Sequence, residues 1–290
     1  MSELQTVAPL ARQAWAQDSM QEGIDAAEIG RLASICLMLE VMTYPKPGLV
    51  SHIDSGAHDD MDAALMYRSA ASLMPYFSEL AHAGACGERM PGLRRIGLAA
   101  ERAMMAATGG VNAHRGAIFG MGLLCAAAGF REAFEAGGTL GAIIAQEWGK
   151  EIIEGPGAGD SHGALVSRHF KVGGARQEAA CGFPAIYGCG LPALLEGKSL
   201  RPGDVEAARV HALMSLIAAV DDTNLLYRGG AEGLRFARES VSAFLGRGGV
   251  GMPDWRARAI AMHEAFVARR LSPGGSADLL AMTLFVRQMG

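Results

Sequence analysis

The chain has 290 residues, half of them hydrophobic and 19% charged, which is enough apolar material for a sizeable core and excludes a disordered polypeptide. A formal net charge of −4 gives no general attraction to nucleic acid or to an anionic membrane. Five cysteines, odd in number, irregularly spaced and without a C-x-x-C, argue against a disulfide framework or a structural zinc site and for thiols in a reducing compartment.

The first 25 residues read as a loosely ordered or partly helical leader without a signal-peptide pattern, and residues 26–290 as one catalytic domain expected in the cytoplasm. Ile29, Leu32, Ala33, Cys36 and Leu39 recur at helical spacing, and Pro45 and Pro47 end that helix near Tyr44. The polar run SHIDSGAHDD (51–60) leads into a helix expected from about Asp59, with Ala63, Met66, Ala70 and Leu73 on its apolar face. Ile96, Ala100, Met104 and Ala107 mark a helix over 93–107, and a buried helix is expected over 116–128. Residues 154–176 form the longest irregular stretch. Further helices are expected over 177–195, 203–220, 229–246, 254–270 and 276–288, with Ser276 as the N-cap of the last. Alternating strand patterns are absent, and the uncharged stretches 116–130 and 179–195 are too short and glycine-rich for a membrane span. The expected fold is all-α: a single multi-helix globular domain whose glycine-rich interhelical loops form a polar cleft.

The awkward residues are concentrated at helix ends, in PKPGLV (45–50), HIDSGAHDDMD (52–62), TGGVNAHRG (108–116), GARQEAACGFP (174–184), DDTNLLYRGG (221–230) and SPGGSADLLA (272–281). Asp54, Asp59, Asp60 and Asp62 crowd together with His52 and His58; a hard cation would offset the repulsion, and helix capping explains the pattern equally well. Asp221 and Asp222 follow an apolar helix, where two carboxylates would oppose the macrodipole unless a metal ion or Arg228 compensates. Gly109, Gly110, Asn112, His114 and Arg115 precede a helix start, where anions are stabilised, but neither a P-loop nor a Rossmann fingerprint is present. Gly274, Gly275 and Ser276 form a second such cradle or a plain cap. Lys46 stands between two prolines.

Together EVMTYPKPGLV, SGAHDDMD, ATGGVNAHRGAIF, GARQEAACGFP, DDTNLLYRGG and RRLSPGGSADLLA resemble, in order over residues 28–287, the triphosphoribosyl-dephospho-CoA synthases associated with citrate lyase and malonate decarboxylase. SGAHDDMD departs from the GSH-x-DM form expected there, and NAHRG, with Ala113 and Arg115, departs from NTHKG while keeping the cation.

The resemblance implies that ATP and 3′-dephospho-CoA give 2′-(5″-triphosphoribosyl)-3′-dephospho-CoA and adenine. The product would pass to a holo-acyl-carrier-protein synthase. No fused second enzyme is evident, which favours the malonate decarboxylase branch. A glycosidic bond is broken, so the chemistry calls for a triphosphate site, a proton acceptor for the attacking hydroxyl and carboxylates near an oxocarbenium-like centre. On this reading His58, Glu101 and Asp60 are the catalytic candidates. Lys46, Gly109, Gly110, Asn112, His114, Arg115, Arg176, Arg228, Gly274, Gly275 and Ser276 would hold substrate and phosphate. Asp62, Asp221 and Asp222, with Asp60 in support, would bind Mg²⁺. A homodimer is a possible assembly. Two rivals stay open: a metal-dependent ADP-ribosyl-glycohydrolase-like enzyme that uses water as acceptor, and a non-catalytic nucleotide-binding helical protein.

Overall fold

The computed structural model describes residues 25–156, 165–166, 169–170 and 172–290. The leader, apart from Asp25, and the middle of the 154–176 stretch lie outside the described residues. Among the described residues the chain is all-α, with no strand.

The helices are α1 (Ala26–Val41), α2 (Ala63–Ala85), α3 (Met90–Ala107), α4 (Arg115–Phe134), α5 (Leu140–Glu147), α6 (Gly149–Glu154), α7 (Gly174–Ala180), α8 (Leu191–Leu200), α9 (Val205–Ala219), α10 (Thr223–Gly246), α11 (Trp255–Ala268) and α12 (Gly274–Gln288). A π turn, Ile186–Gly190, leads into α8, and a 3₁₀ turn, Gly249–Gly251, precedes α11. Several starts carry local side-chain caps: Asp25, Asp62, Thr139 and Asp204 each accept the amide of the residue three positions on.

Some boundaries differ from the sequence expectation. The second helix begins at Ala63, because Asp62 occupies the cap position. The single helix expected over 177–195 is broken: Gly182 and Phe183 adopt positive φ, and Pro184 cannot continue a helix through them. The short helices α5 and α6 were not expected. Residues 223–229, read as loop, are the first turns of α10, and Gly230 (φ 60, ψ −160) breaks that helix. Pro273 is the residue before α12, so Ser276 lies inside the helix and not at its cap.

α4 lies at the centre. It is long and apolar enough to span a membrane by length and composition, but 67% of that stretch is buried in this fold. α1 packs on α2, α2 packs on α4, and α3 covers both. The α2–α4 crossing is backbone against backbone: a Cβ on Gly84 would overlap the carbonyl of Ala126, and one on Gly129 would overlap the carbonyl of Ala81. On the other side α8, α9 and α10 pack in sequence. α12 joins the two halves, touching α1, α4, α9 and α10, and from Ser276 to Val286 it buries every position apart from Asp278.

The crossing generates a contrast. Gly129→Ala should lower stability by about 1–3 kcal/mol, since a main-chain carbonyl cannot step aside. Gly97→Ala, in α3 with nothing within 4 Å of the added methyl, should raise it by about 0.5–1 kcal/mol. Thermal or urea unfolding of the two variants beside the parent checks both signs.

Candidate active site

Asp222 is where the polar segments meet. The chain leaves α9 in an extended conformation at Val220, and Asp222 becomes the N-cap of α10. Its Oδ1 accepts the amides of Asn224 (2.9 Å) and Leu225 (3.3 Å). Its Oδ2 accepts the amide (2.7 Å) and hydroxyl (2.9 Å) of Ser276, in the first turn of α12. One carboxylate, 1% exposed, therefore ties two helix starts together. Burial pushes its pKa up, and the bonds from Ser276, Asn224 and Leu225 oppose that. The paired glycines make the seating possible: a Cβ on Gly275 would lie 3.2 Å from both Asp222 oxygens, and one on Gly274 would lie 2.8 Å from the side-chain Nδ2 of Asn224. The aspartate pair thus sits at the favourable end of α10, which removes the expected conflict with the macrodipole of the preceding helix. Asp221 turns outward and pairs with Arg238 at 2.9 Å, not with Arg228.

Lys46 is fully enclosed. Its ammonium donates to the Glu40 carbonyl (2.9 Å) and pairs closely with the Glu40 carboxylate in the last turn of α1. Burial lowers its pKa, and Glu40 acts against that. The Lys46 carbonyl accepts from Nδ1 of His263 (2.6 Å), whose Nε2 faces Asp54 at 3.2 Å. Behind α1, Arg209 donates to the Thr43 hydroxyl at 2.9 Å. His114, 3% exposed, stands before the first residue of α4. Its Nδ1 is 2.7 Å from the Ser69 hydroxyl, and its Nε2 has no partner among the described residues. Burial, aided by the charge of Lys46, depresses its pKa to about 4, so the ring is neutral.

Asp278 completes the junction. It lies in the first turns of α12 with its carboxylate pressed on Gly116 at the start of α4, where a Cβ would overlap Oδ2. Burial, then Glu40, then Asp222 push its pKa well up. The starts of α4, α10 and α12 thus meet beside Glu40 and Lys46. The N-cap residues of α4 and α12, His114 and Pro273, supply no side-chain cap, and the amides of Gly116 and Gly275 have no acceptor among the described residues.

The remaining sequence candidates surround this junction or lie away from it. His58 Nε2 is 2.9 Å from the Ser272 hydroxyl, and its Nδ1 is 3.1 Å from the Arg228 guanidinium. A guanidinium only donates, so Nδ1 accepts and the proton sits on Nε2. Burial and then Arg228 lower the His58 pKa, while exposed Asp60, 3.5 Å away, raises it. Arg228 also donates to the carbonyls of Ala57 (3.0 Å) and Arg270 (3.2 Å), fastening two loops. Glu101 pairs with exposed Arg115 at the mouth of α4, and Asn112 accepts the Arg115 amide at 3.3 Å. Gly109 and Gly110 have φ of 66° and 93° in an exposed turn, and a Cβ on either meets nothing within 4 Å. Their role here is backbone reversal, not close approach. Arg176 is remote: its guanidinium is spent on the carbonyls of Ile152, Ile153 and Gly155 at the end of α6.

Each of the three expected metal ligands already has a partner within the fold. Asp62 caps α2, Asp221 pairs with Arg238, and the Asp222 oxygens already hold four donors. Among the described residues no three His, Cys, Asp or Glu side chains gather to hold an ion. A cavity of about 350 Å³ lined by Leu226, Leu234, Arg235 and Arg238 shares no residue with the junction.

Glu40 and Asp278 were missed as candidates. Each had a signal: a lone acid beside Leu37, Leu39 and Val41, and a lone acid heading the apolar run 277–286.

His114 makes stability depend on pH. An unfolded imidazole binds its proton near pH 6.5 and the folded one at about 4, so between those values only the unfolded state gains the proton and stability falls as pH falls. From pH 7 to 5 the parent should lose about 2 kcal/mol more than His114→Gln. Urea unfolding at the two pH values measures the difference.

Comparison with known proteins agrees with the motif pattern. The family model described as ATP:dephospho-CoA triphosphoribosyl transferase matches residues 26–290. A relative from Stutzerimonas stutzeri (strain A1501) is 39% identical over 91% of this chain and 92% of its own length. One from Pseudomonas aeruginosa (strain UCBPP-PA14) is 40% identical over 89% of each. One from Acinetobacter calcoaceticus is 38% identical over 90% of each. Each is named a probable 2-(5''-triphosphoribosyl)-3'-dephosphocoenzyme-A synthase. No solved structure matches the chain significantly. With the match running from α1 through α12, the chain belongs to the ATP:dephospho-CoA triphosphoribosyl transferase family and is a transferase.

Proposed function

We propose that this enzyme moves the triphosphoribosyl group of ATP onto the 2′-hydroxyl of 3′-dephospho-CoA and releases adenine, in the cytoplasm, for the prosthetic group of malonate decarboxylase. The observation that carries this reading is the meeting of the α4, α10 and α12 starts around a lysine and three acids.

Bond cleavage at the donor ribose leaves positive charge on its C1′ and ring oxygen. Acids enclosed at the junction favour that charge in a medium where water screens it little. The triphosphate needs the opposite environment. Free amides at Gly116 and Gly275 and the positive ends of α4 and α12 supply it. Exposed Arg115, steadied by Glu101, adds a fork of donors beside them. The turn with Gly109, Gly110 and Asn112 forms the adjoining wall, and Gly274 and Ser276 shape the opposite one. Lys46 acts from behind the surface, balancing Glu40 and keeping His114 neutral. His58 and Arg228 hold the 57–58 and 270–272 loops, with Asp60 at their rim. In this reading Mg²⁺ belongs to the incoming nucleotide, which needs few protein carboxylates.

Incubation with ATP, Mg²⁺ and 3′-dephospho-CoA, followed by mass spectrometry, is the direct test. A joined nucleotide with one adenine per turnover is expected. Adenine with free ribose triphosphate would instead indicate the hydrolase, and no adenine at all a nucleotide-binding protein. Arg115→Ala should raise KM for ATP about tenfold by loss of one charge-assisted contact. Loading of the product onto the acyl-carrier subunit of malonate decarboxylase, against that of citrate lyase, tests the branch.

A further inference from the structure

Asp278 is the one acid of the junction that nothing in the fold uses. Glu40 neutralises Lys46, and Asp222 caps two helices. Asp278 has neither a hydrogen bond nor an ion pair among the described residues, although it remains partly open to solvent. It faces like charges on two sides, Glu40 from α1 and Asp222 from the start of α10. The Lys46 ammonium is already paired, His114 before α4 is neutral, and α4 presents only bare Gly116 to the carboxylate. An unpaired carboxylate beside two others is costly and adds no stability. Its place has also been cleared for it, since any side chain at Gly116 would push it away.

We propose that Asp278 is the catalytic residue that accepts the proton of the attacking 2′-hydroxyl. This rests on the transfer reading above. The bond from the acceptor O2′ to C1′ of the donor ribose forms, and the bond from C1′ to the adenine nitrogen breaks with its electron pair leaving on adenine. The hydroxyl proton goes to the Asp278 carboxylate, which later returns it to solvent, and adenine takes up one proton as it departs. Burial and the neighbouring acids hold the carboxyl well above the usual carboxylate range, which makes it a stronger proton acceptor than an ordinary carboxylate.

Three variants test this. Asp278→Asn keeps the shape and removes the base: kcat should fall by about 10²–10⁴-fold with KM for both substrates little changed. Its Tm should not fall, because Asp278 makes no hydrogen bond or ion pair among the described residues that the amide would lose, whereas a structural role would lower Tm and activity together. Gly116→Ala should fold normally, since only the end of a side chain stands in the way, and should lose activity as Asp278→Asn does. Asp278→Ala should be rescued by added small carboxylates, more strongly as their basicity rises. Parental kcat in Asp278→Asn or Gly116→Ala, or rescue that ignores basicity, overturns the assignment. Failure of the parent itself to make the joined nucleotide is a separate result and counts against the transfer reading instead.

Discussion

The carboxylate of Asp222 is the fastening on which the rest of the site depends. A helix start leaves amides without partners, and burying two such starts side by side would normally leave several unpaired donors. Here one anion accepts from both, so α10 and α12 can meet in the interior. The glycines at 274 and 275 let the α12 backbone come close enough to the Asp222 and Asn224 side chains for this. Once α12 is fixed in that position, its next turn delivers Asp278 to the start of α4, and its apolar length closes the core between α1, α4 and α9.

The electrostatics are layered around that point. Lys46 and Glu40 form a neutral pair at the deepest level, and neutral His114 lies close to them. Asp222 is surrounded by donors that satisfy it. Asp278 and the free amides lie outward, where substrate can reach. Paired charges inward and unpaired groups outward are the order that a binding site needs, because a lone charge in the deep core would be too costly. It also explains why the cation singled out between two prolines is so deeply enclosed.

Features governed by near neighbours were legible in the sequence. The helical class followed from composition and spacing, and Asp62 and Asp204 stand where capping rules would put them. The crowding of polar residues at helix ends pointed to the right loops, and all but the 174–184 segment do meet near one another. Partnerships set by distant parts of the chain were not legible. DDTNLLYRGG looks like a loop because Thr, Asn and paired glycine are weak helix formers, yet Asp222 caps a helix there while its other oxygen holds Ser276, 54 residues away. Arg176 resembles a phosphate ligand until the end of α6 is found beside it. Glu40 and Asp278 are ordinary helix acids until burial singles them out, and burial is a property of the assembled fold.

The break at Gly230 separates two mechanical roles within α10. The turn that carries Asp222 and Arg228 is locked to α12 and to the 57–58 loop, while the longer part beyond the break is tied back through Arg238 to Asp221 and lines the outer cavity together with Leu226. A continuous helix would act as a lever, carrying any tilt of its far end into the Asp222 bonds. An interrupted hydrogen-bond ladder bends at the break instead. A shift of the outer face would therefore bend α10 at Gly230 and reach the Asp222 cap mainly through the Arg238–Asp221 pair.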